Sequence, residues 1–160
     1  TGILLNNEMD DFAAAPEAPN LYGLVGDEAN AIAPRKTPLS SMTPTIVTDN
    51  GRLIMATGSP GGSTIITTVL QVILNVLEYK MNVAEAVSAP RFHHQWLPDK
   101  LILETGGFGE ATVNELKQRG HNVVMQRGWG NANVVFQDES GMLEAAADPR
   151  GEGEAMGTGQ

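Results

Sequence analysis

The first regular patterns along the chain are two runs typical of strands, followed by a run with the period of a helix. Two β-rich runs, 43–48 and 52–57, flank the Asn50-Gly51 step after Asp49, which is a strong signal for the turn of a hairpin. Apolar residues then recur every three or four positions over 65–77. The pattern therefore predicts an antiparallel pair of strands followed by an amphipathic helix.

The helix over 65–77 has a wide apolar face. Its main stripe is broadened by three further residues: Ile66, Leu70 and Leu74. Its first turns hold β-branched residues of low helix propensity, so its stability depends on packing against the rest of the fold. We expect this helix to be substantially buried.

The remaining elements are short and of mixed type. Asn82 and Glu85 have the spacing of a capping box at the start of a helix over 83–88, and Pro90 ends that helix. The later predicted elements are a strand over 101–104, a helix over 110–119, a strand over 122–126, and a hairpin of strands 134–136 and 142–146. Hairpins and helices in this order favour a layered α+β fold, and the glycine-rich end, 151–160, is expected to be a flexible tail.

The segment before residue 38 differs from the rest. Residues 1–34 contain six acidic residues and no lysine or arginine, and prolines and glycines interrupt residues 13–37. A long loop of this kind often serves as a lid or a binding loop, whereas the alternative is a passive connector.

Composition excludes several classes of function. A length of 160 residues suits one domain or a large part of one. With 10 basic and 19 acidic residues the net charge is 10 − 19 = −9, which offers no basic surface for nucleic acid or an anionic membrane. No apolar run reaches the roughly 20 residues that cross a bilayer, and the first residues lack a signal-peptide pattern. With no cysteine, thiol chemistry and thiolate metal sites are excluded.

An acidic cluster, formed by Glu8, Asp10 and Asp11, is the first candidate for chemistry. Neighbouring carboxylates repel one another, so the cluster indicates an ammonium group or a metal as its ligand. The alternative is a solvated acidic turn, and the spacing departs from that of an EF-hand calcium loop.

Two further motifs carry hydroxyl and backbone donors. Ser40 and Ser41 either bind an anionic group or satisfy the backbone of a turn. Gly61 and Gly62 precede the predicted helix, where successive N–H groups meet the positive end of its dipole. Without a lysine or Walker spacing, an oxyanion hole is favoured over a phosphate site, and a tight turn is the structural alternative.

The histidines give a weaker signal. His93 and His94 are adjacent, and adjacent residues of an extended segment point to opposite sides, so packing is favoured over a shared metal or a general base. His121 has no evident partner in the sequence, and no complete Ser/His/Asp triad can be assembled.

Four stretches together carry a family resemblance. They are GILLNNEMDDF at 2–12, PLSSMTPT at 38–45, GSPGGS at 58–63, and NVAEA at 82–86 with APRFHHQW at 89–96. They resemble the small subunit of gamma-glutamyltransferase, also called gamma-glutamyltranspeptidase or glutathione hydrolase, over residues 1–150. The resemblance implies an α+β chain that is part of the four-layer αββα sandwich of N-terminal nucleophile hydrolases. It also implies a precursor that cleaves itself into a large and a small subunit.

The resemblance assigns binding roles to the polar motifs. Glu8 and Asp11 would hold the α-amino group of the substrate, and Ser40 and Ser41 would hydrogen-bond its α-carboxylate. No metal is implied.

Further roles concern the acyl group. By the same resemblance, the N–H groups of Gly61 and Gly62 would form the oxyanion hole, and residues 13–37 would form a lid in which Tyr22 covers the bound glutamyl group.

The nucleophile of the family is a threonine that begins the small subunit and is followed by Thr-His, about 30 residues before the stretch that matches Gly2. We therefore expect the nucleophile to lie outside this chain. Thr1 is not expected to serve, although an N-terminal threonine can act with its own α-amine as base. Residues 36–37, 64 and 128–133 also depart from the family pattern.

The expected function follows from the resemblance. The chain would be the substrate-binding part of an enzyme that hydrolyses or transfers the γ-glutamyl group of glutathione and similar compounds, without a cofactor, and would be inactive in isolation. Its partner would be a large subunit that covers a sheet face and supplies an arginine, in a periplasmic or secreted protein. The alternatives are a poly-γ-glutamate hydrolase or transferase, a β-lactam side-chain acylase, and a noncatalytic amino acid binding module.

Overall fold

The computed structural model describes residues 2–3, 5–15 and 17–157. Contacts divide the chain into a first unit, residues 1–41 with 96–98, and a second unit, residues 42–95 with 99–160. The helices of the second unit are α1 (Ile65–Leu77), α2 (Val83–Ser88) and α3 (Glu110–Gln118). Its strands are β1 (Thr45–Asp49), β2 (Arg52–Gly58), β3 (Phe92–Gln95), β4 (Lys100–Glu104), β5 (Val123–Gln126), β6 (Asn133–Gln137) and β7 (Leu143–Ala147).

Strands β1, β2, β6 and β7 form an antiparallel sheet in that order. The predicted hairpin between β1 and β2 is confirmed: Asn50 and Gly51 have φ of +49° and +81°, the pair of positive values that a two-residue hairpin turn requires. The predicted hairpin of β6 and β7 is also confirmed, and its turn is closed by Asp138, whose Oδ1 accepts from the hydroxyl of Ser140 and the N–H of Met142.

Helices α1 and α2 cover one face of this sheet and enclose the core. The buried core residues are Met55, Val72, Val76, Val83, Ala86, Val87, Ala132, Val134 and Ala146. The prediction that α1 is buried on its widened face was wrong in this chain: Ile66, Leu70 and Leu74 are 64%, 51% and 40% exposed. The helix turns Val69, Val72 and Val76 inward and packs Ile73 and Leu77 against the core, whereas its second apolar stripe stays exposed.

The start of α2 agrees with the sequence. The Oδ1 atom of Asn82 accepts from the N–H of Glu85 at 2.8 Å, and a carboxylate oxygen of Glu85 accepts from the N–H of Asn82 at 3.3 Å. This is the predicted capping box, which satisfies two backbone donors that the first turn of a helix leaves without partners.

Strands β3, β4 and β5 form a second sheet, in which β3 is antiparallel to β4 and β4 is parallel to β5. Helix α3 connects the parallel strands. The side chain of Gln71 in α1 bonds both the C=O and the N–H of Phe92, at 2.8 and 3.1 Å, and so holds β3 against α1. Strand β3 lies where the sequence indicates a strand or an extended segment.

The first unit consists of loops with short 3₁₀ turns at Glu8–Asp11 and Glu28–Asn30. The sequence interpretations of Thr1 and Pro16 fall outside the described residues, as does the end of the tail, 158–160. Among the described residues no helix is long and apolar enough to cross a membrane. Nor does that part of the chain group three or more His, Asp or Glu side chains as a metal ion would require.

Candidate functional site

The acidic turn and the serine pair lie together in the first unit. Glu8, Asp10 and Asp11 share the 3₁₀ turn, and the hydroxyl of Ser41 donates to Oδ2 of Asp11 at 2.9 Å across 30 positions of sequence. Ser40 precedes Ser41 directly. The structure therefore brings together two motifs that the sequence identified separately.

Asn30 fixes the chain around this contact. Its Nδ2 donates to the backbone oxygen of Asp11 at 2.7 Å, and its Oδ1 accepts from the N–H of Leu39 at 3.3 Å. The backbone oxygen of Asn30 also accepts from the N–H of Ala13 at 2.9 Å. One side chain thus connects the acidic turn to the segment that leads into the serine pair. No pattern in the sequence pointed to Asn30.

Tyr22 lies at the tip of the loop over 13–37 and is 45% exposed. The Oδ1 atom of Asn20 accepts from the N–H groups of Tyr22 and Leu24, each at 3.0 Å, which shapes the tip. Gly23 has a φ of +73°, and a Cβ there would lie 3.2 Å from Cδ of Pro98. The tip is therefore a defined turn within the first unit.

The glycine pair lies in the second unit, in the turn between β2 and α1. Gly61 has a φ of +144° and Gly62 a φ of +56°, conformations that favour glycine. The hydroxyl and the N–H of Thr64 both donate to the backbone oxygen of Gly61, at 2.8 and 3.1 Å. Within the described residues neither Gly61 nor Gly62 uses its own N–H as a donor, so both remain able to bind an anion.

A buried ionic network lies close to this turn, and the sequence interpretation missed it. Arg91 is 2% exposed and pairs with Asp148, which Arg150 also contacts at 3.1 Å. Arg150 pairs in turn with Glu104 at 2.6 Å. In the sequence Arg91 stands out only as part of a family motif. Its ion pair could not be predicted, because its partner Asp148 lies 57 positions away.

The network favours ionised carboxylates. Burial acts to raise the pKa of Asp148, but hydrogen bonds from the N–H groups of Arg150 and Ala132 and from Arg91 outweigh it, so the pKa falls below its ordinary value. Burial also acts to raise the pKa of Glu104. Hydrogen bonds from the side chain of Arg150 and from the N–H of Arg91 outweigh it, so this pKa too falls below its ordinary value. Both carboxylates of the network are therefore ionised and paired with arginine side chains at neutral pH.

His93 behaves as the packing interpretation predicts, whereas His94 is exposed. His93 is 3% exposed and lies 2.8 Å from both the hydroxyl of Thr67 and the side-chain oxygen of Gln95. His94 points the other way and contacts the exposed Asp99 at 3.0 Å. The two rings therefore do not share a ligand.

Comparison with known proteins decides the family. The family model of gamma-glutamyltranspeptidase matches residues 1–158. The chain belongs to the gamma-glutamyltranspeptidase family. It is 54% identical over 150 residues to the glutathione hydrolase proenzyme of Escherichia coli (strain K12), a match that covers 94% of this chain and 26% of that protein. The chain thus spans about a quarter of the length of this curated relative.

Solved structures of the gamma-glutamyltranspeptidase family have the same fold. A mutant of the Helicobacter pylori enzyme matches with a TM-score of 0.89 and 52% identity, covering 94% of this chain and 82% of that chain. The Pseudomonas nitroreducens enzyme complexed with L-DON matches with a TM-score of 0.90 and 40% identity, covering 99% and 83%. These matches confirm the predicted α+β class, as part of the sandwich of N-terminal nucleophile hydrolases.

Proposed function

We propose that this chain is the substrate-binding part of an enzyme that hydrolyses or transfers the γ-glutamyl group of glutathione and related compounds. The contact between Ser41 and Asp11 carries the proposal. An amino acid head group presents an ammonium and a carboxylate on the same α-carbon, so the groups that bind them must be neighbours. An anionic acceptor and a hydroxyl donor 2.9 Å apart meet that requirement.

The acidic turn binds the ammonium group in this account. Asp11 uses one of its lone pairs for Ser41 and keeps others for the substrate, with Glu8 as a second carboxylate on the same turn. When the α-carboxylate arrives, the hydroxyl of Ser41 turns from Asp11 to the substrate, and Ser40 supplies a second hydroxyl. The lid over 13–37 then places Tyr22 over the glutamyl group.

The glycine pair stabilises the reacting carbonyl in the same account. Attack of a threonine hydroxyl on the γ-carbonyl forms a C–O bond and moves an electron pair onto the carbonyl oxygen. The N–H groups of Gly61 and Gly62 stabilise that oxyanion; its collapse re-forms the C=O and breaks the C–N bond, and the amine leaves with the proton released by the threonine hydroxyl. We place the nucleophile outside these 160 residues, in a precursor that cleaves itself.

The partner is a large subunit of the same precursor. This proposal is supported by a row of apolar residues across the open face of the β1–β2–β6–β7 sheet. Each residue of the row pairs with the next on the neighbouring strand: Ile46, Ala56, Val135 and Ala145. Ile46 is 71% and Val135 46% exposed, and a sheet face of this kind is normally covered. We also propose, from the habit of the family, a periplasmic or secreted location.

The substitution Asp11→Asn tests this function in the complete enzyme. The substitution replaces a carboxylate by a neutral amide, so the ammonium group loses a charged acceptor, whose hydrogen bond is worth about 1.5–3 kcal/mol. We therefore expect KM for a γ-glutamyl anilide to rise roughly 10- to 100-fold with little change in kcat. The matched control is Asp49→Asn, at the exposed tip of the β1–β2 hairpin, which is expected to leave both constants unchanged. An unchanged KM in Asp11→Asn contradicts the proposed role, and glutamate binding without turnover in the unaltered enzyme favours a noncatalytic binding module.

A further inference from the structure

The hydroxyl of Ser59 makes two hydrogen bonds directly before the glycine turn. It accepts from the N–H of Asn131 at 3.0 Å and donates to the backbone oxygen of Pro60 at 2.8 Å. The N–H of Asn131 can only donate, so the Oγ of Ser59 accepts from it, and the carbonyl of Pro60 can only accept, so the single hydroxyl proton of Ser59 points to Pro60.

The second bond sets the direction of the next N–H group. The peptide bond between Pro60 and Gly61 is trans, and in a trans peptide the C=O and the N–H point in opposite directions. Because the C=O of Pro60 points toward the Ser59 hydroxyl, the N–H of Gly61 points away from it. Ser59 thus fixes the plane of the peptide that supplies one oxyanion donor.

The segment that carries the N–H of Asn131, the donor to Ser59, is held in place by close packing and by Arg91. Gly130 has a φ of +75°, and a Cβ there would lie 2.9 Å from Oγ of Ser59 and 3.1 Å from Nη1 of Arg91. That same Nη1 donates to the backbone oxygen of Trp129 at 2.6 Å. The buried Arg91–Asp148 pair therefore anchors the segment over 129–131, and that segment anchors Ser59 through a backbone group.

We propose that Ser59 is a positioning residue of the oxyanion site, which aligns the N–H of Gly61 with the developing charge. This inference rests on the proposed function of Gly61 and Gly62. The donor to Ser59 is the backbone N–H of Asn131, so the contact does not depend on the side chain at position 131.

The test is Ser59→Ala in the complete enzyme, assayed with a γ-glutamyl anilide. Loss of one aligning hydrogen bond is expected to lower kcat about tenfold and to change KM less than about twofold. A boronate that mimics the tetrahedral intermediate should lose affinity by the same factor, while glutamate keeps its affinity. Ser59→Thr, which retains the hydroxyl, should restore kcat to within about threefold.

Two controls separate this inference from the proposed function. Ser140→Ala removes a hydroxyl from the exposed turn between β6 and β7 and is expected to leave kcat, KM and the affinity for the boronate unchanged. If Gly61→Ala lowers kcat and Ser59→Ala does not, the positioning role is overturned and the oxyanion assignment stands. If neither variant lowers kcat, the oxyanion assignment itself fails. A fall in glutamate affinity that equals the fall in kcat indicates a general structural role and also overturns the inference.

Discussion

Replacement of Asp148 by alanine is expected to lower the free energy of unfolding by about 3–5 kcal/mol. The substitution leaves the guanidinium of Arg91 buried without its charged partner, and it also removes the acceptor of the N–H of Ala132 at 2.7 Å. An unpaired buried charge costs far more than an exposed pair contributes. The change is measured by urea denaturation of the purified protein at neutral pH.

The matched control is Glu115→Ala, which breaks the ion pair between Glu115 of α3 and Arg119, the residue directly after this helix. Both side chains are more than 60% exposed, so the expected cost is below about 0.5 kcal/mol. Equal effects of the two substitutions contradict the importance of the buried network.

The pH dependence of the free energy of unfolding gives a second test of the role of Asp148. The pKa of Asp148 is lowered in the folded protein, so its stabilising effect is complete above an unfolded-state pKa of about 4 and is lost as pH falls through the folded-state value. The difference in stability between the unaltered protein and Asp148→Ala should therefore narrow on acidification. A constant difference from pH 7 to pH 2 contradicts this assignment.

Replacement of Gly61 by alanine is expected to lower kcat of the complete enzyme about 10²- to 10³-fold, the effect of losing one oxyanion donor. An L-residue rarely adopts a φ of +144°, and the added Cβ would lie 2.6 Å from Oγ1 of Thr64. The turn must therefore rearrange, which moves the N–H of Gly61. Steady-state kinetics with a γ-glutamyl anilide measure the effect, and KM is expected to change little.

Gly120→Ala provides the control for backbone strain alone. Gly120 follows α3 with a φ of +92° and has no atom within 4 Å of a Cβ built there. We expect it to lower stability modestly and to leave kcat unchanged. A Gly61→Ala enzyme that folds and retains its kcat shows that this peptide does not stabilise the oxyanion.

Local sequence signals predicted most of the elements. The Asn50-Gly51 turn and the capping box of Asn82 and Glu85 depend on residues within four positions of each other, and both are present in the structure. The glycine pair was identified for the same reason, because its place before an apolar helix is visible in the sequence.

Features that depend on distant partners were not predictable. The spacing of Ile66, Leu70 and Leu74 predicts a buried face, but these residues are exposed. Periodicity shows that a helix face is apolar and does not show which element, if any, covers it. The Arg91–Asp148 pair and the contact of Asp11 with Ser41 join residues 57 and 30 positions apart. The resemblance proposed that the acidic turn and the serines share a ligand, and only the fold brought two of their side chains within hydrogen-bonding distance.

The most direct test of the central claim is release of the chromophore from a γ-glutamyl anilide, measured side by side for the complete precursor carrying this chain and for the purified 160-residue chain. The account predicts turnover by the processed complete protein and none by the chain alone. A complete protein that folds but releases no chromophore contradicts the proposed function. Turnover by the chain alone that Thr1→Ala abolishes contradicts the placement of the nucleophile outside it.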